Sequence, residues 1–151
     1  MQFTGKTSRR ISSVLIAVAL TAGTVLVFSG AARAADDAPN PIVTQVKAAV
    51  PDPAKPFILG VILKAKDGEE AKVEAAFAKA VTAFRAEKGC AVYEFSRAAD
   101  SPTTYVVYER WQDTPSLENH VKGEAFRALV TDLDGILQAE PDIKVLVPLS
   151  Q

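Results

Sequence analysis

Apolar positions along the second half of the chain alternate between two rhythms. Phe57 to Leu63 is a compact apolar run closed by Lys64, Lys66 and the turn pair Asp67-Gly68. It predicts a strand buried on both faces. Val73, Phe77, Val81 and Phe84 then recur at intervals of four, four and three, with Glu69, Glu70, Lys72, Lys79 and Lys88 mostly off that stripe. This is an amphipathic helix closed by Gly89. Cys90 to Arg97 and Thr103 to Trp111 follow as two strands, joined into a hairpin by the turn-forming Asp100-Ser101-Pro102. Thr114-Pro115 opens a second helical stretch, with Thr at the cap and Pro in the first turn. Its inward stripe takes in Leu117, His120 and Val121 and, past a kink at Gly123, continues through Phe126, Leu129, Val130, Leu133 and Leu137. Glu140-Pro141-Asp142 stops it, and Ile143 to Val147 supplies a last strand. The order strand, helix, strand, strand, helix, strand is the split βαβ pattern of an α+β, ferredoxin-like fold with an antiparallel four-stranded sheet.

Two helices cover one face of such a sheet, and the other face should alternate toward polar residues. It does not. Tyr105 and Val107 point one way while Val106 and Tyr108 point the other, and the first strand is apolar at Phe57, Ile58, Leu59, Val61, Ile62 and Leu63. An apolar face left in water marks an interaction site, so the pattern predicts a homodimer packed sheet to sheet.

The N-terminal third follows other rules. Arg9 and Arg10 precede an uncharged, mostly apolar run from Val14 to Phe28, and small residues ending Ala32-Arg33-Ala34 come after it. That order is a secretory signal, residues 1–34, cleaved after Ala34. The run is shorter than the roughly 18 residues of a spanning helix, so no stable membrane span is expected after cleavage. Ser8-Arg9-Arg10 also resembles the start of a twin-arginine signal. The protein is therefore expected to be exported, periplasmic or secreted. Residues 35–56 form a Pro- and Ala-rich leader carrying Pro39, Pro41, Pro51, Pro53 and Pro56. It should be extended apart from a short helix at Ile42 to Val50. Residues 57–149 then form one domain.

The chain has 151 residues, with 17 Lys+Arg against 18 Asp+Glu. Lys6, Arg9, Arg10 and Arg33 lie in the signal, which has no acid, so the exported body is more acidic than the formal net charge of −1. Without a basic cluster, nucleic acid is not a partner. Export places Cys90, the only Cys, in an oxidising compartment without a partner. It reads as a small hydrophobe at a strand start, with a reactive or intermolecular thiol as the alternative. One His and one Cys do not make a usual metal-ligand set, and neither a P-loop nor a Gly-rich dinucleotide turn is present.

Gly89-Cys90, Tyr93-Glu94, Tyr105-Val106-Val107-Tyr108-Glu109-Arg110-Trp111 and Leu117-Glu118-Asn119-His120 together resemble the antibiotic biosynthesis monooxygenase (ABM) superfamily, most closely its quinol monooxygenase branch. The strongest signal is Glu-Arg-Trp followed, nine residues after the Trp, by His. The resemblance runs from about Pro56 to Leu149. It implies a dimeric ferredoxin-like α/β barrel with a pocket between sheet and helices in each subunit. It also implies oxidation of a quinol-like or phenolic small molecule by molecular oxygen as co-substrate, with no cofactor and no metal. Such chemistry asks the protein for a base, a donor to hold oxygen atoms, and apolar walls.

His120, the only His, is the candidate base or substrate hydrogen-bond partner because its ordinary pKa is near neutrality. Its alternative is a core or dimer-contact histidine satisfied by a carbonyl. Trp111 is either an aromatic wall for a flat substrate or a core anchor. Glu109 shares the parity of Trp111 and should be functional or paired, with Arg110, Arg97 or Lys144 as partner. Tyr93, Tyr105 and Tyr108 offer hydroxyls to a quinol oxygen or simply pack. Asn119 falls off the helix stripe and should be exposed. Relatives that degrade haem use an Asn in the first strand and a His later in the second helix, and this chain has neither. Many quinol monooxygenase-like relatives carry a second His a few residues after the first, where Gly123, Glu124 and Ala125 stand here. Two other functions use the same fold: a non-catalytic dimer that binds a small aromatic ligand, and an oxygen-independent small-metabolite isomerase.

Overall fold

The computed structural model describes residues 39–149. The expected signal segment, with its cleavage after Ala34, lies outside the described residues. Among those described, no helix is long and apolar enough to cross a membrane.

A short helix α1, Pro41–Ala49, precedes the domain. Asn40 caps it by accepting a hydrogen bond from the Ile42 N–H at 2.9 Å, and Pro41 pre-sets its first turn. Then come β1 (Phe57–Lys64), α2 (Glu70–Arg85), β2 (Cys90–Arg97), β3 (Thr104–Trp111), α3 (Thr114–Lys122), α4 (Glu124–Leu133) and β4 (Asp142–Leu146). The sheet order is β2-β3-β1-β4, and every neighbouring pair is antiparallel. That is the ferredoxin-like arrangement the pattern predicts. The two-residue alternation of the strands sets Phe57, Leu59, Leu63, Tyr105, Val107, Glu109 and Trp111 on the buried face.

Helix α2 seals one half of this face. Val73, Ala76, Phe77, Ala80 and Phe84 pack on Leu63, Tyr93, Tyr105, Val107 and Leu129. The other half is a second cluster in which Val43, Val46 and Val50 of the α1 region join Phe57, Leu59, Trp111, Leu117 and Val121. The short helix expected within the Pro-rich leader is therefore present, one residue earlier at each end. The leader contributes three apolar side chains to the core.

Several local expectations change. The predicted second helix is two, because Gly123 adopts φ −66 and ψ 151 and breaks the chain between α3 and α4. Asp113, not Thr114, is the cap of α3, its side chain accepting from the Ser116 N–H at 2.8 Å. Thr114 is buried instead. Val130 faces solvent at 53% exposure, and Leu137 lies beyond the end of α4, where Ala65 forms an isolated bridge with it. Phe126, Leu129, Leu133 and Leu137 still pack on the core as the stripe expects, and Val130 alone of these positions turns outward.

The opposite face of the sheet is open within the chain. Ile62, Val106, Tyr108 and Leu146 are all at least 36% exposed on it. The helices bury only one face of β1, and the second apolar face expected from the sequence stands free.

Candidate active site

Trp111 ends β3 two residues after Glu109, so the two side chains leave the same face as neighbours. The indole Nε1–H donates to Glu109 Oε2 at 2.8 Å. Glu109 is only 6% exposed. Burial pushes its carboxyl up to about 7, against the downward pull of the Trp111 hydrogen bond and with added repulsion from Glu87. None of the three cations expected as partners pairs with it: Arg97 binds Glu74, Lys144 binds Asp142, and Arg110 follows the outward parity of its strand. A buried carboxyl held by a neutral indole donor protonates near neutral pH, and no ion pair holds it ionised.

His120 reaches the same place from the helical layer. Positions 117, 120 and 121 share one face of α3, and Leu117, His120 and Val121 are all buried. The imidazole, 2% exposed, sits in an aromatic box. Ring centroids of Phe84, Trp111 and Phe126 lie 4.6, 4.9 and 5.0 Å away, and that of Tyr93 lies 6.2 Å away. Its Nδ1 is 2.8 Å from Glu87 Oε2. Burial pulls the histidine pKa down, and the charge and hydrogen bond of Glu87 oppose it.

Glu87 lies in the turn between α2 and β2, and the turn is held against α3 by a close approach at Gly89. With φ +88, Gly89 uses the left-handed region, and a Cβ there would run into the Ser116 side chain. The Gly89 carbonyl also accepts from the Gln112 N–H at 2.8 Å. One glycine thus lets the Glu87 turn and the His120 helix come within hydrogen-bond reach.

Tyr93 is buried and stands opposite Glu109 in the β2–β3 register. Burial, then the charges of Glu109, Cys90 and Glu87, raise its pKa far above the ordinary phenol value, so it remains a donor. The other two tyrosines are elsewhere. Tyr105 lies six residues, roughly 20 Å, along β3 from Trp111; it donates to Glu74 Oε1 at 3.0 Å and stacks on Phe95. Tyr108 is on the open face of the sheet. Neither belongs to the centre, because the parity of β3 turns Tyr108 outward and its length carries Tyr105 away. Asn119 is exposed, as expected. Cys90 is half-buried and packs on both core clusters; burial, with the charges of Glu109 and Glu87, pushes its thiol up to about 11.

The sequence reading missed Glu87, Phe84 as a wall of the His120 box, and Phe126. Phe84 and Phe126 fall on the predicted inward stripes, but Glu87 had no signal beyond its nearness to Gly89. An open cleft of about 400 Å³ lined by Arg85, Cys90, Ala91, Val92, Tyr93 and Glu94 adjoins the centre and shares Tyr93 with it. Glu109 and His120 do not line that cleft. Among the described residues, no group of three or more His, Cys, Asp or Glu side chains is placed to hold a metal ion.

Several solved structures share this architecture. The PA3566 protein of Pseudomonas aeruginosa is 26% identical, with a TM-score of 0.61 over 65% of this chain and 98% of that one. The Rv0793 protein of Mycobacterium tuberculosis is 22% identical, with a TM-score of 0.61 over 64% of this chain and 98% of that one. A Caulobacter crescentus protein named for antibiotic biosynthesis monooxygenases is 20% identical, with a TM-score of 0.62 over 70% of this chain and 99% of that one. Among curated proteins, no match is found. The model of the antibiotic biosynthesis monooxygenase family matches residues 56–132, which span β1 through nearly all of α4 and hold Glu87, Glu109, Trp111 and His120. The chain belongs to the antibiotic biosynthesis monooxygenase family.

Proposed function

We propose that this protein is an exported monooxygenase that oxidises a quinol or phenolic small molecule with molecular oxygen and without a resident cofactor. The observation that carries the reading is the convergence of two proton-accepting groups, Glu109 and His120, in one buried aromatic enclosure. A carboxyl with its pKa near 7 and a neutral imidazole are matched to removing a phenolic proton at neutral pH. The resulting electron-rich anion reduces oxygen directly. For a hydroquinone the balance is quinol plus O₂ giving hydroxyquinone plus water. One oxygen atom enters the ring at a C–H carbon, and the other leaves as water with two hydrogens from the substrate. The substrate supplies all four electrons. Trp111, Phe84 and Phe126 form the flat apolar walls, and Tyr93, whose raised pKa keeps it protonated, offers a hydroxyl donor.

The centre is closed, since His120 and Trp111 are at most 2% exposed. Substrate entry therefore requires a side chain to swing aside, and Tyr93 is the wall shared with the open cleft. A homodimer formed through the open apolar sheet face completes the proposal. The exposed Ile62, Val106, Tyr108 and Leu146 support it.

The test is oxygen uptake with a panel of chemically reduced quinones under ¹⁸O₂. The reading requires consumption faster than in buffer and one labelled atom per molecule of product. Uptake that ends in unlabelled quinone would replace it with an oxidase, and binding without uptake would replace it with a ligand-binding role.

A further inference from the structure

We propose that Glu87 is a positioning residue that holds His120 in its Nδ1–H tautomer, so that Nε2 is the atom through which His120 takes its proton from the substrate. The proposal rests on the functional reading above and assigns the histidine's share of its proton chemistry to one nitrogen.

The geometry leaves one consistent arrangement. A carboxylate only accepts hydrogen bonds, so the 2.8 Å contact between His120 Nδ1 and Glu87 Oε2 places the proton on Nδ1. In a neutral imidazole the other nitrogen is then an acceptor. Among the described residues, no hydrogen bond engages Nε2. The rest of the box is aromatic, with Phe84, Trp111 and Phe126 around the ring, so Nε2 is kept free for a ligand.

Charge makes the second half of the case. Once Nε2 has taken a proton, an imidazolium stands in an apolar enclosure, which is costly unless a counter-charge is at hand. Glu87 is that counter-charge. Its side chain is 26% exposed against 2% for His120, so the anion keeps part of its hydration while touching a dry ring. The other titratable or charged groups near the site are Arg85 at the end of α2, which donates to the Tyr93 carbonyl, Glu109 on β3, and Tyr93 and Cys90 on β2. Tyr93 and Cys90 add only neutral groups at neutral pH, and Glu109 is engaged by the Trp111 N–H. Gly89 gives the arrangement its built character, because the contact depends on the left-handed turn that seats Glu87 against α3.

The chain has one histidine, so ¹⁵N-histidine labelling reports His120 alone. In the wild-type protein at pH 7.5, long-range ¹H–¹⁵N spectra should show a protonated, pyrrole-type Nδ1 and an unprotonated, pyridine-type Nε2. Glu87→Ala should lose that preference and make the Nε2–H form the major one. Glu87→Gln keeps an acceptor oxygen but removes the charge. It should lower the ring's protonation midpoint and reduce kcat roughly 100-fold with KM within about twofold. A wild-type Nε2–H tautomer, or a tautomer unchanged in Glu87→Ala, would overturn the proposal. If neither variant changes kcat in an active enzyme, the catalytic half is overturned. A Glu87-dependent tautomer in a protein that consumes no oxygen would instead overturn the functional reading while supporting the positioning of His120.

Discussion

Glu109 is the residue at which sequence, burial and chemistry meet. A carboxyl whose pKa rises from 4.5 to about 7 on folding binds more protons in the native state than in the unfolded chain between those values. Stability therefore falls as pH rises through that window, by about 3 kcal/mol for a shift of this size. His120 acts in the opposite sense. Its lowered pKa means that the unfolded chain binds more protons below about 6.5, so that contribution to stability is lost as pH falls. Glu109→Gln preserves shape and an acceptor for the indole N–H. Urea midpoints measured from pH 5 to 8 should show its stability rising toward neutrality, where the wild type stays flatter or declines. Trp111→Phe removes the one hydrogen bond that pulls the Glu109 pKa down. It should cost about 1–3 kcal/mol and move the rising limb of a rate profile to higher pH. Much at this scale was legible in the chain. The parity of Glu109 and Trp111 follows from strand alternation alone. The identity of the Glu109 partner did not, because Arg97 meets Glu74 only once α2 packs on β2, while Lys144 pairs along its own strand with Asp142.

Among the elements, the turn between α2 and β2 and the helix α1 do most to shape the centre. Gly89→Ala would combine a strained φ with a collision against Ser116. The expected loss is more than 1 kcal/mol, read in thermal unfolding. The retreat of the Glu87 turn should also broaden the His120 signals. Helix α1 is tied at its surface by Lys47–Glu118, at 2.6 Å, and by Gln45 Nε2 donating to the Ile143 carbonyl. The ion pair is exposed and worth at most about 1 kcal/mol, so the buried Val43, Val46 and Val50 supply most of the attachment. Val46→Asp should unseat the helix and uncover the cluster that contains Trp111, the only Trp. A red shift of tryptophan emission checks this, and unchanged emission would show that α1 does not shield the indole. The strand and helix order was readable because the apolar runs kept their periods up to the break at Gly123. The role of α1 was not, because the nine-residue helix is legible locally but its packing against Phe57, Trp111 and Leu117 is long-range.

At the scale of the whole molecule, a sheet covered on one side and apolar on both is the ground for the proposed homodimer. If the open face joins two copies, Ile62→Lys with Val106→Lys should convert a dimer to a folded monomer in sedimentation velocity. Charged groups at the centre of the face cannot be buried unpaired. A wild-type monomer at micromolar concentration would remove the dimer from the account. The family match and the sheet topology fix the frame, and the chemistry depends on whether the buried Glu109 and His120 act on a substrate. The most direct measurement is the rate of oxygen consumption with reduced quinones as a function of pH, in the wild type and in Glu109→Gln and His120→Ala. The account predicts a wild-type rate that rises through a midpoint near 7, a profile without that limb in Glu109→Gln, and loss of at least roughly 100-fold in His120→Ala. Equal rates in all three proteins would contradict it.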